Sequence, residues 1–421
     1  MTDTAPPAQA PPGGPSASDG PSPDGTSPDG TAPSGPSRAR RAVRRAVATL
    51  VVLALLTVVA VAGIAWYFSG VALAVDHSAF RPHLVQRVHD GTVQLGRDAD
   101  GLSAVPGRYG LTWDGGHGTV GPVQSSDARS VVRPYTPVDG TPAIGTDAWV
   151  DPDYYAGDPS SALSLDHEDV QVPTDLGPMP AWYVPGAAPT GTWVVFVHGH
   201  NGSRQESLRY LTTWHDLGLP VLVPTYRNDV GAPASPDGRS HLGDTEWRDV
   251  AAAVRLAKER GARDVVLAGW SMGGAISMRL LDDPATAATV RGVVLDSPVL
   301  DWRDTFASQG SDRGLPGWLT GLAARTVSLR AGIDLDAFDR PARAGALEVP
   351  VLLFHSDADD YVPDGPSKAL AAARPDLVTY VDVPGARHTR AWNVDPQEYE
   401  RRMTSWLRSV GAVAPAVSEQ A

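Results

Sequence analysis

A serine between glycines stands where an apolar run gives way to a helical one. The pentad G-W-S-M-G occupies residues 269–273, between the strand-like run Asp264–Ala268 and the helix-compatible stretch Met272–Leu281. A serine on such a tight turn exposes its hydroxyl, and the glycines remove side chains that would block the approach of strand and helix. The helix N-terminus adds a positive dipole end beside a developing oxyanion. The pattern predicts that Ser271 is a nucleophile.

Candidates for the acid and the base stand in two later loops that also follow apolar runs. Residues 355–363, H-S-D-A-D-D-Y-V-P, follow the run Val351–Phe354, and residues 385–389, G-A-R-H-T, follow the last such run. A hydroxyl nucleophile needs a neighbouring base, and imidazole is the side chain used most often. A carboxylate that orients the imidazole completes such a site. His388 and the aspartates of the earlier loop are therefore the candidates.

The elements that must position these residues alternate between strands and helices. The chain from residue 166 to 411 begins with a strand pair, Glu168–Val172 and Ala181–Val184, and then repeats short apolar runs and helical stretches. Near-continuous apolar strands that alternate with amphipathic helices indicate an α/β fold with a mostly parallel sheet covered on both faces. Further strands are predicted at 192–197, 220–225, 264–268, 290–295, 349–354 and 377–383, and helices at 203–217, 244–260, 272–281, 366–373 and 396–410.

With strand, turn and helix in this order, the chain resembles the α/β-hydrolase family of serine hydrolases. The resemblance covers Glu168–Val410 and rests on the G-W-S-M-G turn and the loops that follow the other strands. It implies an α/β-hydrolase fold and a catalytic triad in the chain order serine, aspartate, histidine. Ser271 is then the nucleophile. His388 is the general base, because it is the one histidine that follows the acid loop in the sequence.

The acid of the implied triad must be chosen among neighbouring carboxylates. Asp359 aligns with the acid that precedes V-P in the family, and Asp357 is the reserve. Asp296, which follows the strand ending at Leu295, is the alternative acid position that some members use. In the implied mechanism the carboxylate fixes the imidazole tautomer, and water later releases the acyl-enzyme.

The loop H-G-H-N-G, residues 198–202, is similar to the H-G loop of the family. The resemblance implies that the backbone amides of His200 and Met272 form the oxyanion hole. An alternative for His198 and His200 is an H-x-H metal pair, but no third ligand stands at a suitable spacing. Neither a metal nor an organic cofactor is therefore expected.

The first 75 residues lie outside this fold. Residues 1–37 are rich in Pro and Gly without aromatic or branched aliphatic side chains, which predicts a disordered tail. Residues 38–75 contain five arginines and then an uncharged stretch whose most apolar part, Ala46–Phe68, can cross a membrane as a helix. The positive flank predicts a cytoplasmic N-terminus and an extracytoplasmic remainder. The alternative is a signal peptide cleaved at Ala72–Ala74, although such peptides have apolar stretches of only about 7–15 residues.

The remaining chain is predicted to form two domains. Residues 76–165 are dense in Gly and Pro with short β-prone pieces, which indicates a small β-rich module. Residues 166–411 are the predicted catalytic domain, and residues 412–421 are a C-terminal tail. An insertion between two strands, at about 301–349, forms either a lid over the serine or helices packed on the sheet. Trp392 is predicted to fill core.

Composition narrows the classes of function. The 421-residue chain has 48 acidic and 35 basic residues, and the net charge of −13 disfavours binding to nucleic acid. It has no cysteine, which excludes a thiolate nucleophile and disulfides. The leading prediction is a membrane-anchored extracytoplasmic serine hydrolase that cleaves a carboxylic ester. Its partners are a small-molecule ester or peptide substrate and, through one helix, the membrane.

Two other functions stay open. A serine peptidase is one, because the G-W-S-x-G turn after a long upstream segment also resembles the prolyl-oligopeptidase-like branch. Against it, no propeller fits upstream, and Glu206 and Glu246 are interpreted as helix-surface residues rather than an amine-binding pair. The other is a non-catalytic surface binding protein on the same fold. Such a protein would not need Ser271, Asp359 and His388 together.

Overall fold

The computed structural model of the chain describes residues 38–78, 80–188 and 190–414. The predicted tail 1–37 lies outside the described residues, and so does the predicted tail 412–421 beyond residue 414. The chain divides into two units, the first ending at Val59 and the second beginning at Ala60. The described part of the first unit is a continuous stretch of α-helix in which every residue is exposed.

The first helix, α1, extends from Arg38 to Ala72 and includes the apolar stretch Ala46–Phe68. Its mean hydropathy reaches 2.8 over 18 residues, and no other helix in the described chain is both long and apolar enough to cross a membrane. Length and composition of this kind are found in membrane spans and in signal sequences.

The segment after α1 folds into a small antiparallel barrel. Its strands are β1 (His83–His89), β2 (Thr92–Gly96), β3 (Tyr109–Trp113), β4 (Gly116–Val120), β5 (Ser125–Ser126), β6 (Ser130–Asp139) and β7 (Asp147–Asp151). Among the described residues, six of these strands close into a ring in the order β2-β1-β7-β3-β4-β6, and β6 returns to pair with β2. Inward residues such as Val85, Leu111 and Val150 fill the barrel. The predicted β-rich segment before the α/β domain is confirmed.

The second sheet carries the site. Its strands are β8 (Glu168–Thr174), β9 (Gly177–Val184), β10 (Thr192–Val197), β11 (Val221–Pro224), β12 (Asp264–Trp270), β13 (Val290–Asp296), β14 (Val351–His355) and β15 (Val378–Asp382). They lie in the order β15-β14-β13-β12-β10-β11-β9-β8 within the described chain. The pairings from β15 through β10 to β11 are parallel, whereas β9 pairs antiparallel with both β11 and β8. The predicted mostly parallel sheet is confirmed.

Helices cover both faces of this sheet. They are α2 (Pro159–Leu163), α3 (Leu208–Asp216), α4 (Trp247–Glu259), α5 (Met272–Leu280), α6 (Pro284–Ala287), α7 (Trp302–Asp312), α8 (Gly317–Ala331), α9 (Gly365–Ala373), α10 (Ala391–Val394) and α11 (Pro396–Ser409). One core lies under α4, α5 and α9, and the other lies under α3 and α11. Successive residues of β10 alternate between them, since Val195 faces the first core and Phe196 the second. The α/β-hydrolase architecture predicted from the sequence is confirmed.

The insertion between β13 and β14 contains α7 and α8. Trp302 of α7 is 4% exposed, and its indole nitrogen donates a hydrogen bond of 2.9 Å to the carbonyl oxygen of Leu242. Its ring also stacks on that of Phe306. Trp392 is 3% exposed and packs edge-on against the ring of Tyr154, so its predicted core position is confirmed.

Candidate active site

The nucleophile turn has a backbone conformation that few residues adopt. Ser271 lies between the end of β12 and the start of α5 with φ 54° and ψ −119°. A residue with a Cβ is strained at this positive φ, and such strain occurs preferentially at functional sites. The Ser271 amide holds the turn in place by donating a hydrogen bond of 3.1 Å to the carbonyl oxygen of Asp296 on β13.

Close packing explains the two glycines of the turn. A Cβ at Gly269 would lie 2.4 Å from the carbonyl oxygen of Gly273. A Cβ at Gly273 would lie 2.0 Å from the carbonyl oxygen of Val197 on β10. Neither separation is sterically allowed, so a larger residue at either position would push α5 away from the sheet. The glycines therefore let α5 start directly behind Ser271.

The structure brings together the three side chains predicted for the triad. His388 Nε2 lies 2.8 Å from Ser271 Oγ. His388 Nδ1 lies 2.9 Å from Asp359 Oδ2 and 3.1 Å from Asp359 Oδ1. The residues stand in the loops after β12, β14 and β15, because the carboxyl ends of parallel strands meet at one edge of a sheet. Hydroxyl, imidazole and carboxylate thus form one hydrogen-bonded chain.

The side chain of Asp359 is buried and held by its own loop. Its Oδ1 accepts hydrogen bonds of 2.9 Å from the amides of Tyr361 and Val362. His355 Nε2 lies 3.3 Å from Asp359 Oδ2. Burial alone would raise the pKa of Asp359, but the charges and hydrogen bonds of His388 and His355 outweigh it and hold the pKa below its usual range. The carboxylate is therefore ionised wherever the protein is folded near neutral pH.

The imidazole of His388 is tuned by the same contact. Burial would lower the pKa of His388, but the charge and the hydrogen bond of Asp359 outweigh it and raise the pKa above the ordinary 6.5. The ring of Tyr361 lies beside the imidazole, with the centroids 5.2 Å apart. The arrangement favours the protonated, imidazolium form of His388.

The other two carboxylates considered for the acid are placed differently. Asp357 is exposed. Asp296 is fully buried, and neither of its carboxyl oxygens has a hydrogen-bond partner among the described residues. Burial raises the pKa of Asp296 to about 6. Asp359 is thus the one of the three whose carboxylate is hydrogen-bonded to His388.

The loop after β10 lies against the nucleophile turn. A Cβ at Gly199 would lie 3.4 Å from the Cβ of Ser271. In the part of the chain that the structure describes, the amides of His200 and Met272 donate no hydrogen bond. Met272 is the first residue of α5, and the first amides of a helix have no partner inside it. Both amides predicted for the oxyanion hole therefore keep their donor capacity.

His198 supports this loop. Its Nε2 lies 2.8 Å from Asp229 Oδ2, and its Nδ1 lies 2.9 Å from the carbonyl oxygen of Gly199. Its ring stacks on that of Tyr226 at a centroid distance of 4.3 Å. Burial would lower the pKa of His198, but the charge of Asp229 outweighs it and raises the pKa to about 9. A doubly protonated His198 donates at both nitrogens and thereby fixes the carbonyl of Gly199.

His200 differs from its neighbour in charge. Burial lowers the pKa of His200 to about 4, and its Nε2 is buried without a partner among the described residues. The ring is therefore neutral near pH 7. No group of three or more His, Cys, Asp or Glu side chains in the described residues could hold a metal ion.

The two glutamates interpreted as helix-surface residues lie elsewhere, and for Glu246 that interpretation was wrong. Glu246 is 1% exposed and accepts hydrogen bonds from the amides of His241 and Gly243, at 2.7 and 3.0 Å. Glu206 is half-buried, and its Oε2 accepts the amide of Gly199 at 3.1 Å. Each carboxylate satisfies the backbone of a turn, and Glu206 does so in the loop beside Ser271.

The support of the His388 loop was missed by sequence reasoning. Arg209 Nη1 donates to the carbonyl oxygen of Thr389 and to Asn393 Oδ1, both at 3.0 Å. Asn393 Nδ2 donates to the carbonyl oxygens of Arg108 and Pro152, at 2.9 and 3.0 Å. Arg108 and Pro152 belong to the barrel segment, so this segment contacts α10, the short helix directly after the His388 loop. These residues lie far apart in sequence, and no motif indicates them.

Comparison with known proteins gives two family matches. The sequence profile described as the alpha/beta hydrolase family matches residues 194–402. The profile described as a domain of unknown function (DUF8805) matches residues 84–151, which form most of the barrel. An uncharacterised protein of Mycobacterium tuberculosis, found in strains H37Rv and CDC 1551, is 28% identical over 241 residues. The aligned region covers 56% of this chain and 75% of that protein.

Several solved structures resemble the chain. One is the Pyrococcus furiosus esterase Pf2001, with 20% identity and a TM-score of 0.49, covering 61% of this chain and 95% of that chain. Another is Est1E from Butyrivibrio proteoclasticus with ferulic acid bound, with 16% identity, a TM-score of 0.46, and coverage of 58% and 99%. A third is Thermogutta terrifontis esterase 2 phosphoramylated by tabun, with 18% identity, a TM-score of 0.46, and coverage of 59% and 96%.

Proposed function

Since this chain is a hydrolase of the α/β-hydrolase superfamily, we propose that it is a membrane-anchored serine hydrolase with its catalytic domain outside the cytoplasm. The proposed reaction is hydrolysis of a carboxylic ester through an acyl-enzyme on Ser271. The observation that carries the proposal is the position of His388, 2.8 Å from Ser271 Oγ and 2.9 Å from Asp359 Oδ2. An imidazole between a hydroxyl and a buried carboxylate can activate the hydroxyl.

Acylation begins with neutral His388. Its Nε2 takes the proton from Ser271 Oγ while the oxygen attacks the ester carbonyl carbon. Asp359 accepts the Nδ1–H hydrogen bond, which fixes the tautomer and stabilises the imidazolium. His388 then gives the proton to the departing alkoxide, and the acyl group stays on Ser271 as an ester.

Deacylation repeats these steps with water. His388 removes a proton from water, the hydroxide attacks the acyl carbon, and the proton returns to Ser271 Oγ as the carboxylic acid leaves. In both halves of the reaction a tetrahedral oxyanion forms, and we assign its stabilisation to the amides of His200 and Met272. The absence of a partner for either amide among the described residues supports this role.

The apolar helix supports the proposed anchoring. Five arginines occupy its first two turns, between Arg38 and Arg45, and the rest of α1 carries no charge. Positive residues that flank a membrane span stay on the cytoplasmic side. The domain that follows α1 would then lie on the opposite side of the membrane.

Contacts made by the end of α1 argue against its removal as a signal peptide. Leu73 is 2% exposed, and its carbonyl oxygen accepts the Ser240 amide at 3.1 Å. Arg330 donates to the carbonyl oxygen of Trp66 at 2.8 Å and to Ser69 Oγ at 2.6 Å. Cleavage after Ala74 would remove all these partners and uncover apolar surface of the catalytic domain. Retention of the helix is therefore part of the proposal.

Labelling with a fluorophosphonate tests the catalytic assignment. The wild-type protein should be labelled and should hydrolyse p-nitrophenyl esters, because the reagent reacts with an activated serine. Ser271→Ala should not be labelled, and its turnover should fall by up to roughly a million-fold. A Ser271→Ala protein with normal turnover would refute the assignment of the nucleophile.

The same preparation separates the other functions. A parallel panel of peptide amides tests the peptidase alternative, which predicts faster cleavage of amides than of matched esters. A well-folded wild type that is neither labelled nor active would instead favour the binding protein. Circular dichroism of wild type and Ser271→Ala provides the folding control.

A further inference from the structure

A cavity of about 350 Å³ lies between the end of α1 and the insertion helices α7 and α8. This volume is at the lower end of the range of about 300–1,000 Å³ for ligand pockets. The walls are mostly apolar and come from three helices. They include Phe68 and Val71 of α1, Trp302 and Phe306 of α7, and Leu319 and Val327 of α8.

The cavity reaches the proposed reacting centre. His200, whose amide we assign to the oxyanion hole, is part of its wall, and so is Tyr361. The Tyr361 ring lies 5.2 Å from the ring of His388. Gln309 of α7 joins the wall to the acid loop by donating a hydrogen bond of 2.9 Å to the carbonyl oxygen of Tyr361. A chain attached to an ester carbonyl at Ser271 can therefore extend into this cavity.

The wall formed by α1 is fixed to the catalytic domain. Arg330 of α8 donates two hydrogen bonds to the last turns of α1, to Trp66 and to Ser69. Its guanidinium carbon also lies 3.9 Å from the ring centroid of Trp66. Ser69 is completely buried. The C-terminal end of α1 is thus held in place as one wall of the cavity.

Helix α8 exposes large apolar side chains on its outer side, beside the exposed Arg325, as well as burying apolar side chains on its inner side. Leu319 and Val327 face the cavity, whereas Trp318 and Leu329 are 62% and 86% exposed. A helix at a water-exposed surface normally carries polar residues on its outer face. A helix with apolar groups exposed beside a membrane span suits the interface of a bilayer, where they are taken out of water.

From these features we propose that the substrate is a membrane-resident ester with a long acyl chain, which enters the cavity laterally from the bilayer along α1. The proposal rests on the proposed serine hydrolase function and names its substrate class. A membrane ester is chosen as the substrate because the same helix, α1, supplies both the apolar stretch and a wall of the cavity. The apolar wall of the cavity, which begins beside His200 and Tyr361, gives an acyl chain an environment similar to the bilayer interior that it leaves.

The expected consequence is a preference for long acyl chains that depends on the cavity. Each methylene in an apolar pocket changes kcat/KM by about tenfold or more, up to saturation of the pocket. The full-length protein, reconstituted in phosphatidylcholine vesicles, should therefore hydrolyse p-nitrophenyl palmitate with a higher kcat/KM than p-nitrophenyl butyrate.

Two pairs of variants locate the acyl chain. Val71→Trp and Ala323→Trp place an indole into the cavity from α1 and from α8. Ile64→Trp and Leu322→Trp, on the same helices but outside the cavity wall, are their controls. Each cavity variant should lose about tenfold or more of kcat/KM on the palmitate ester and less than about twofold on the butyrate ester. The controls should keep both values.

The outcomes separate the inference from the function beneath it. The acyl site would be overturned if cavity and control variants lost kcat/KM on the palmitate ester equally, or if the cavity variants kept it. Butyrate hydrolysis that still depended on Ser271 would leave the proposed function standing in either case. A wild type that cleaves butyrate but not palmitate would also overturn it. A wild-type protein that hydrolyses neither ester and is not labelled by the fluorophosphonate would refute the proposed function itself.

A separate experiment tests the route by which the ester enters the cavity. The palmitate ester is supplied either in the vesicles that hold the protein or in separate protein-free vesicles, and initial rates are compared. Lateral entry predicts a rate at least about tenfold higher when enzyme and ester share a bilayer, because the ester is then concentrated beside α1. Equal rates would show capture from water and would overturn lateral entry.

Discussion

The nucleophile turn and the His388 loop hold their residues by different means. Ser271 is fixed by its immediate neighbours, because Gly269 and Gly273 permit close packing and the turn is hydrogen-bonded to the adjacent strand. The His388 loop depends on distant residues, since Arg209 and Asn393 link it to other segments, including the barrel. The proposed nucleophile is therefore positioned by local packing in the α/β sheet, whereas the proposed base depends on contacts between the α/β sheet and the barrel segment.

Among the substitutions that test this comparison without replacing Ser271, the largest effect is expected at Asp359, the carboxylate hydrogen-bonded to His388. Asp359→Asn keeps the size of the side chain but removes the charge that orients the imidazole. We expect kcat to fall by about 10⁴-fold, because the other tautomer places a proton on Nε2. Asp357→Asn, on the exposed neighbour, is the matched control and should keep its kcat. Equal kcat values for the two variants would move the acid away from Asp359.

A methyl group at Gly273 tests the local region. Gly273→Ala places a Cβ against the Val197 carbonyl oxygen and should shift α5 together with Ser271. A misplacement of about 1 Å costs about 10²-fold in kcat. Gly321→Ala, at a helical glycine whose Cβ would meet nothing within 4 Å, should leave kcat and the melting temperature unchanged or slightly raised. If both variants kept kcat, close packing would not determine the position of the nucleophile.

Removal of the Asn393 amide tests the distant region. Asn393→Ala loses the hydrogen bonds to the carbonyl oxygens of Arg108 and Pro152 and to Arg209, which should destabilise the fold by about 1–3 kcal/mol. We expect kcat to fall by about tenfold at an unchanged KM, since the His388 loop shifts by less than 1 Å. Asn393→Asp keeps the acceptor for Arg209 and should recover part of kcat. Destabilisation with full kcat would limit Asn393 to a structural role.

The smallest effect concerns pH. His388 must be neutral to accept a proton, and Asp359, Asp360 and Asp296 all act to raise its pKa. Activity should therefore fall as the pH drops through a midpoint above 6.5. In Asp359→Asn the residual activity should have a lower midpoint, because burial of the imidazole is then opposed by less charge. An unchanged midpoint would assign the acid limb to another group.

The sheet could be predicted from the sequence because each strand corresponds to a short run of consecutive apolar residues. Val194–Val197, Val266–Ala268 and Val293–Leu295 are apolar without interruption, and buried parallel strands require that pattern. The turn at Ser271 could be predicted for the same reason, because its flanking glycines are neighbours in the sequence. The packing of Asn393 on Arg108 was not readable, because 285 positions separate the two residues.

The burial of individual polar side chains was the other feature that the sequence did not predict. Glu246 sits in a polar stretch of sequence, yet it is enclosed because its carboxylate satisfies the amides of a tight turn. Arg330 similarly lies in the last turn of the mostly apolar helix α8, and only the fold shows that its guanidinium reaches the backbone of Trp66. In both cases the partner is selected by tertiary geometry, which a local pattern does not encode.

The closed ring of strands in the barrel has a further consequence if α1 anchors the chain in a membrane as proposed. Tethered proteins meet one another at a high effective concentration, and an open sheet margin can recruit a strand from a neighbouring molecule. Around the ring from β1 through β7 and back to β2, each strand has a neighbour on both sides. Under the proposed anchoring, the described strands of this ring would therefore offer neighbouring copies few unpaired backbone groups to which a strand could add.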